Sequence, residues 1–330
     1  MTAMIADDRS RSFASSRAGL TDRDGQPYDA FLKTLTPRYG IVWRDILLGY
    51  AALIATLAVL ALVPQHWGFA VPGILSIGYW IAYLQLFLHE GAHFNLHRDR
   101  QRNDTLCNAF IGWMIGSDIA SYRIVHWQHH RNIGTVHDSE FTYFFPLNLS
   151  FLLRVFFGVR AIEVLLARRK LTGGGKRESA EPAKAKSPAK SPHARAVLGA
   201  GLLIHGLIIV LLAWISWIAC VAWVLGVGMA FPAFGALRQL LEHRSPMADP
   251  SVDYTKLDHG AYTRMFGDGP VASTFGGAGF NRHLLHHWEP QVSYTRLAEL
   301  EDFFLSTDLA PILKDRSSTY LQAFRGLFRW

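Results

Sequence analysis

Three clusters of histidine are the part of the sequence best suited to chemistry. These clusters, the first, second and third boxes, begin at residues 89, 126 and 283 and read HEGAH, HWQHH and HLLHH. On a helix, histidines three or four residues apart place their imidazoles on one face. Neutral imidazole is the commonest metal ligand among side chains. Eight of the fifteen histidines lie in the boxes, too many for one ion. The pattern predicts a binuclear metal centre held by His89, His93, His126, His129, His130, His283, His286 and His287.

Two long uncharged segments must position these boxes. No Asp, Glu, Lys or Arg occurs between Ile46 and Leu88, or between residues 196 and 237. Each segment is long enough for two helices of about 20 residues, the length that crosses a membrane. The first predicts spans at 44–63 and 67–88 with a turn at Pro64–His66, and the second predicts spans at 197–214 and 217–236. We therefore predict an all-α integral membrane protein with four transmembrane helices in two hairpins.

The charge pattern predicts which side of the membrane carries the boxes. Nine Lys or Arg residues lie in the Ser-, Pro- and Ala-rich segment 168–195, which predicts a disordered basic loop on the cytoplasmic side. Two hairpins that start and end on that side place all three boxes in one cytoplasmic helical cap. The net charge of +7 fits an anionic lipid bilayer, and without a recognised binding motif it does not indicate nucleic acid.

The remaining segments complete the expected organisation. Residues 1–40 are polar, 41–300 form the membrane domain, and 301–330 form a C-terminal helical tail. Residues 106–125 predict a re-entrant or interfacial helix before the second box, and 141–167 an amphipathic interfacial helix. Cys107 and Cys220 are far apart in apolar surroundings, which predicts two buried thiols and no disulfide.

The first box alone has a second interpretation. Its HExxH pattern is also that of zinc proteases, in which the Glu, here Glu90, is the general base. A catalytic zinc takes about three protein ligands, which leaves the histidines of the other boxes without a role. Imidazole-rich ligation of two ions suits iron and oxygen chemistry better.

The order of boxes and spans resembles that of the membrane fatty acid desaturase and hydroxylase superfamily, over roughly residues 45–300. The resemblance implies a non-haem di-iron centre that uses O2 as co-substrate, and an external ferredoxin- or cytochrome-type electron donor. The segment Arg238–His243 is similar to the family's additional ligand segment, which implies His243 as a ninth metal ligand. Partners that fix the imidazoles are then expected among Glu90, Asn281, Glu242, Asp138 and Glu140. Glu90 and Asn281 are also the expected catalytic residues. Trp113, Trp127, Phe275 and Phe280 are expected along an acyl channel.

The sequence leaves several functions open. The leading hypothesis is a desaturase that introduces a double bond into a fatty acyl chain or a similar amphiphile. A hydroxylase or ketolase of the same superfamily, acting on a lipid or a small specialised metabolite, uses the same oxidant. An intramembrane zinc protease and a non-enzymatic metal-binding scaffold are the alternatives from other classes.

Overall fold

Four long apolar helices dominate the molecule. The computed structural model describes residues 7–163, 166, 191 and 193–329, and within these ranges the chain is helical, with β-structure limited to isolated bridges. The helices long and apolar enough to cross a membrane are the first span Tyr39–Leu62, the second span Trp67–Ala92, the third span Ala194–Ile215 and the fourth span Trp217–His243. The predicted all-α class with four membrane-length helices is confirmed.

The second and fourth spans are longer than the sequence predicted. They continue past the ends of the uncharged segments, at residues 88 and 237, to Ala92 and His243. The added turns carry Glu90 and Glu242, which are almost completely buried inside the protein. The charged residues of these turns therefore lie inside the protein, and neither helix ends where its uncharged segment ends.

Short polar caps connect the spans. The imidazole Nδ1 of His66 accepts a hydrogen bond from the Gly68 backbone N–H and begins the helical turn before the second span. Ser216 caps the fourth span by accepting from the backbone N–H of Ala219. Its hydroxyl oxygen also lies 2.8 Å from Oε1 of Gln65, so the two turns contact each other and fix one end of the bundle.

Close backbone packing joins the second and fourth spans. A Cβ placed on Gly78 would lie 2.4 Å from Cβ of Ala230 and 2.8 Å from backbone atoms of Ala230 and Phe231. Residues Gly226–Ala230 form a wider π-helical turn directly before Pro232. The nitrogen of a proline carries no hydrogen and cannot donate the regular helix hydrogen bond. The wider turn accommodates this missing bond.

The segments between the spans are more broken than the sequence indicated. Residues 106–125 do not form one helix, because Gly116 adopts a left-handed conformation (φ 65°) and Asp118 caps a new helix. Pro146 interrupts the expected 141–167 helix. The shorter helices are Phe13–Ser16, Tyr28–Leu32, Arg100–Cys107, Trp113–Ile115, Ile119–Asn132, Leu149–Phe156, Pro270–Phe275, His283–Trp288, Leu297–Leu305, Ala310–Arg316 and Tyr320–Leu327.

The N-terminal segment packs against the region that follows the third box. Phe13 and Tyr28 are buried in an apolar cluster with Phe303, Phe304 and Trp288. The described part of the polar 1–40 segment thus contributes two buried aromatic residues that its composition did not indicate. Most of the predicted basic loop at 168–195 lies outside the described residues, and the third span begins at Ala194.

Candidate metal centre

The first box ends the second span. His89 lies in its last turn, and His93 is the first residue beyond it. Phe94 then adopts a left-handed conformation (φ 64°), which is uncommon for a residue with a side chain. Asn95 closes the turn, since its backbone N–H donates to the Glu90 carbonyl and its Nδ2 donates to Oε2 of Glu90. This turn fixes where His93 points.

The second box occupies one face of the helix Ile119–Asn132. The Asp118 side chain caps the helix by accepting from the Ser121 N–H. Oδ1 of Asn108 accepts from the Ile119 N–H at 2.8 Å and ties the same helix start to the preceding segment. The i, i+3, i+4 spacing then places three imidazoles on one face. Of these, His126 and His130 contact the first box, and His129 contacts His243 at the end of the fourth span.

The third box follows a tight backbone approach. Gly279 has φ 80°, and a Cβ at this position would lie 2.6 Å from Cβ of Tyr294. Only glycine fits both the conformation and the space. The chain then forms the short helix His283–Trp288, whose three histidines are buried. His243, the last residue of the fourth span, lies beside them.

The structure brings all nine predicted histidines together in two groups. The groups are built from three candidate ligand sets, and within each set the ligand atoms lie within 4.8 Å of one another. The first metal group is His89, His93, His126, His130 and His286. The second metal group combines two overlapping sets that share His243, and its imidazoles are those of His129, His243, His283 and His287. The second and third boxes contribute to both groups, so the helix spacing places the two groups side by side.

The distances within the groups suit shared ions. In the first metal group, Nε2 of His126 lies 2.8 Å from Nε2 of His93 and 2.9 Å from Nε2 of His130. In the second, Nε2 of His283 lies 3.0 Å from Nε2 of His243 and 3.3 Å from Nε2 of His287. Nitrogens that bind one ion at about 2.1 Å lie roughly 3–3.4 Å apart in octahedral or tetrahedral geometry. The observed separations match this closely.

Unsatisfied nitrogens provide an independent test of the fit. Among the described residues, both ring nitrogens of His89 are buried without a hydrogen-bond partner, as are Nδ1 of His93, His283 and His287. Buried polar atoms normally have partners, and a metal ion in the first metal group would satisfy one nitrogen of His89. The Nδ1 atoms of the other three rings lie on the side opposite the Nε2 atoms that face the groups. Burial also lowers the pKa of His130, His286 and His287 well below the usual value, which keeps these imidazoles in the neutral, metal-binding form.

Two carboxylates orient imidazoles of the second box. Nδ1 of His129 lies 2.8 Å from Oδ1 of Asp138, and Nδ1 of His126 lies 3.5 Å from Oε1 of Glu140. Burial disfavours a charged His129, but Asp138 and Glu140 outweigh this effect and raise its pKa to about 9. Carboxylates on Nδ1 direct Nε2 toward a metal.

A tyrosine that the sequence analysis missed holds Asp138 in place. The Tyr143 hydroxyl donates to Oδ2 of Asp138 at 2.5 Å and accepts from the Gly134 N–H at 2.6 Å. Tyr143 is fully buried. The sequence did not indicate this contact, since Tyr143 lies in an aromatic run five residues after Asp138. The contact depends on the 3₁₀ turn Phe141–Phe144.

Of the other expected partners, Glu242 lies beside the ligands, and Glu90 and Asn281 bond to neighbouring loops. Oε2 of Glu242 lies 3.7 Å from Nε2 of His283, and this carboxylate belongs to one candidate ligand set. Glu90 instead accepts from Asn95 and from the Tyr294 backbone N–H. Asn281 donates to the Gly267 carbonyl at 2.8 Å. The hydrogen bonds of Glu90 and Asn281 therefore brace loops, and a catalytic role for either stays a prediction.

Six other histidines lie outside the two groups, within the part of the chain that the structure describes, and two of these, His66 and His193, precede helices. His97 accepts from the Asp99 N–H, and the exposed His137 follows the second box helix. His205 lies 2.9 Å from the Met114 carbonyl, and His259 packs against Tyr143. Their contacts are those of structural residues.

A cavity of about 520 Å³ opens beside the histidines. Imidazoles of both groups line one part of it, including His89, His126 and His283. Apolar and small residues form much of the wall, among them Ile115, Val125, Phe231, Gly235, Ala236 and Phe280. Phe280 is therefore on the cavity wall as expected.

The other three aromatic residues expected there have different neighbours. Trp127 packs against His93 and His130, while Trp113 contacts His205 and Phe275 contacts Tyr320.

Comparison with known proteins agrees with this arrangement. No curated protein matches the chain. The family model described as Fatty acid desaturase matches residues 65–311, about three quarters of the chain and all nine histidines. With the four apolar helices, this match identifies a membrane protein and an oxidoreductase. The chain belongs to the fatty acid desaturase family.

Proposed function

We propose that the protein is an O2-dependent membrane desaturase that introduces a double bond into a fatty acyl chain, using two non-haem iron ions and electrons from an external donor. The observation that carries the proposal is the meeting of nine imidazoles in two groups, with five of these imidazoles on the wall of one cavity. A site for a single zinc needs about three protein ligands, so the protease interpretation leaves most of these imidazoles unexplained.

The two metal groups are the candidate iron ligands. Two irons held there would supply the oxidising power that removes hydrogen from an unactivated C–H bond. The protein's own contribution is to fix the imidazoles before the metal arrives. Asp138 orients His129, Glu140 faces His126, and the Tyr262 carbonyl lies 3.2 Å from Nδ1 of His243. Each contact leaves the Nε2 atom directed toward its group.

The cavity is the candidate substrate site. Its volume lies in the range of small-molecule pockets, and its apolar wall suits methylene groups. Phe280 packs against the imidazoles of His89 and His283, with ring centroids 4.5 and 4.6 Å away. This ring therefore forms an apolar part of the cavity wall directly beside imidazoles of both groups.

Under this proposal an external donor supplies electrons. Forming one double bond removes two hydrogens, and reducing O2 to two waters takes two further electrons. We infer a ferredoxin- or cytochrome-type donor that approaches the histidine side of the bundle, which we place at the cytoplasmic face.

Product analysis tests the proposal. The iron-loaded protein, with ferredoxin, its reductase and O2, is incubated in bilayers that contain saturated acyl lipids and saturated free fatty acids, and both are analysed by mass spectrometry. We expect products lighter by two hydrogens. A gain of one oxygen would identify a hydroxylase instead, and peptide cleavage without O2 consumption would identify a protease.

A further inference from the structure

Arg160 is a buried cation in the wall of the substrate cavity. It lies in the helical stretch 159–163, and only 5% of its surface is exposed. The metal centre does not use it, since it contacts none of the nine histidines among the interactions that the structure describes. A buried arginine is costly unless its N–H groups find acceptors. Its surroundings therefore indicate what the cavity binds.

The guanidinium plane of Arg160 is held by three protein contacts. Its central carbon lies 3.7 Å from the centre of the Phe145 ring and 5.3 Å from that of Phe141, two cation–π contacts. Nη1 donates to Oε2 of Glu163 at 3.0 Å. Nε and Nη2 are buried and have no hydrogen-bond partner among the described residues. These two nitrogens form one edge of the planar group, so two parallel N–H donors remain unused.

The charge around Arg160 is not balanced. Glu163 also pairs with Arg154, so one carboxylate serves two guanidinium groups. The other acids of the cavity are engaged elsewhere. Glu140 accepts from Gln239 and faces His126, and Glu242 lies 3.3 Å from Nε of Arg238. A surplus positive charge thus remains at the Arg160 end of the cavity.

A carboxylate matches the unused edge. Its two oxygens are spaced to accept from two parallel N–H groups, and such bidentate pairs are stronger than single neutral hydrogen bonds. We propose that Arg160 binds the head group of the substrate, and that the cavity takes an amphiphilic free acid whose carboxylate lies on Nε and Nη2 of Arg160. The chain then extends along the apolar wall toward the histidines. This inference rests on the proposed function, because it treats the cavity as the substrate site.

Ligand binding without turnover tests the head-group subsite. Decanoate and 1-decanol, which share a chain length and differ in charge, are titrated calorimetrically into the detergent-purified, iron-loaded protein at neutral pH. We expect decanoate to bind about 10- to 100-fold more tightly than 1-decanol, the range for hydrogen bonds to a charged group. Arg160→Gln should remove this preference and leave 1-decanol binding unchanged. Equal binding of the two ligands to the unmodified protein would overturn the proposal.

Three further comparisons make the outcome specific. Arg154→Gln changes the exposed partner of the same carboxylate and should keep the preference. Arg160→Lys keeps the charge without the planar edge and should lose most of the preference, which covers the case in which Arg160→Gln does not fold. Tighter binding of decyl phosphate than of decanoate would replace the carboxylate with a phosphate and overturn the assignment.

The two proposals fail in different ways. Iron-loaded protein that lacks a preference for decanoate refutes the head-group subsite and leaves the proposed function intact. Protein that prefers decanoate but neither binds iron nor desaturates lipid refutes the proposed function alone.

Discussion

Phe13 stacks on Trp288, with ring centroids 4.8 Å apart and planes inclined by 8°. Trp288 directly follows the third box, and its indole N–H donates to the Asp8 carbonyl at 3.0 Å. Arg17 adds an ion pair with Glu289, one residue further. The N-terminal segment therefore braces the helix that supplies three of the nine histidines, although it contributes no ligand itself.

Replacing Phe13 should destabilise the helix that carries the third box. Phe13→Ala is expected to lower the free energy of unfolding by about 3 kcal/mol, because it removes a fully buried aromatic ring. The melting midpoint in detergent measures the loss, and iron should dissociate faster from the variant. Ser15→Ala, on the exposed face of the same short helix, is the matched control. An unchanged melting midpoint for Phe13→Ala would show that the segment does not support the site.

The contact between Asp138 and His129 should determine affinity at the second metal group. Asp138→Asn keeps the shape of the side chain but removes the charge that orients the imidazole. We expect metal affinity at this group to fall by about 10- to 100-fold, as is usual when a carboxylate partner of a ligand is lost. Anaerobic iron titration measures the change, with the exposed Asp302→Asn as the control. Equal affinities would contradict the role of Asp138.

The contact between Gly78 and Ala230 should set the distance between the second and fourth spans. Gly78→Ala inserts a methyl group where backbone atoms already lie within 2.8 Å, and should cost about 1–3 kcal/mol through overpacking. Gly199→Ala, on the third span, meets nothing within 4 Å and should be neutral or stabilising, by up to about 1 kcal/mol. Thermal melting of both variants checks this contrast. Similar melting midpoints would mean that the spans do not approach closely there.

Gly235 offers a way to fill the cavity from the fourth span. A Cβ at this position meets nothing within 4 Å, and the residue lines the cavity. Gly235→Leu should weaken binding of a long acyl chain by about tenfold or more while the iron content stays unchanged. Gly228→Leu places the same side chain on an exposed part of the same span and should bind the chain normally. If both variants bind equally well, the acyl chain lies elsewhere.

The membrane-length helices and the histidines could be predicted because their signals are local. An uncharged segment of about 40 residues has few alternatives to a helical hairpin. The spacing within each box places its imidazoles on one helical face before any tertiary contact is known. His243 has no such spacing, and only the resemblance to a family indicated it.

What the sequence could not predict depends on irregular turns and on contacts between distant segments. Tyr143 reaches Asp138 only through a 3₁₀ turn, and Phe13 reaches Trp288 across 274 intervening positions. Arg160 is unremarkable in a basic region until the fold buries it beside the cavity. The ends of the second and fourth spans were placed too early for a related reason. Their charged last turns face protein, and hydropathy alone treats such residues as solvent-exposed.

Metal content per chain tests the central claim most directly. Elemental analysis of detergent-purified protein, produced with iron available, should give close to two irons per chain. His130→Ala, in the first metal group, and His287→Ala, in the second, should each lower the iron content by about one while the melting curve retains its cooperative transition. The exposed His137→Ala should keep both ions. One zinc and no iron in the unmodified protein, or full iron content in either ligand variant, would contradict a di-iron centre built from these histidines.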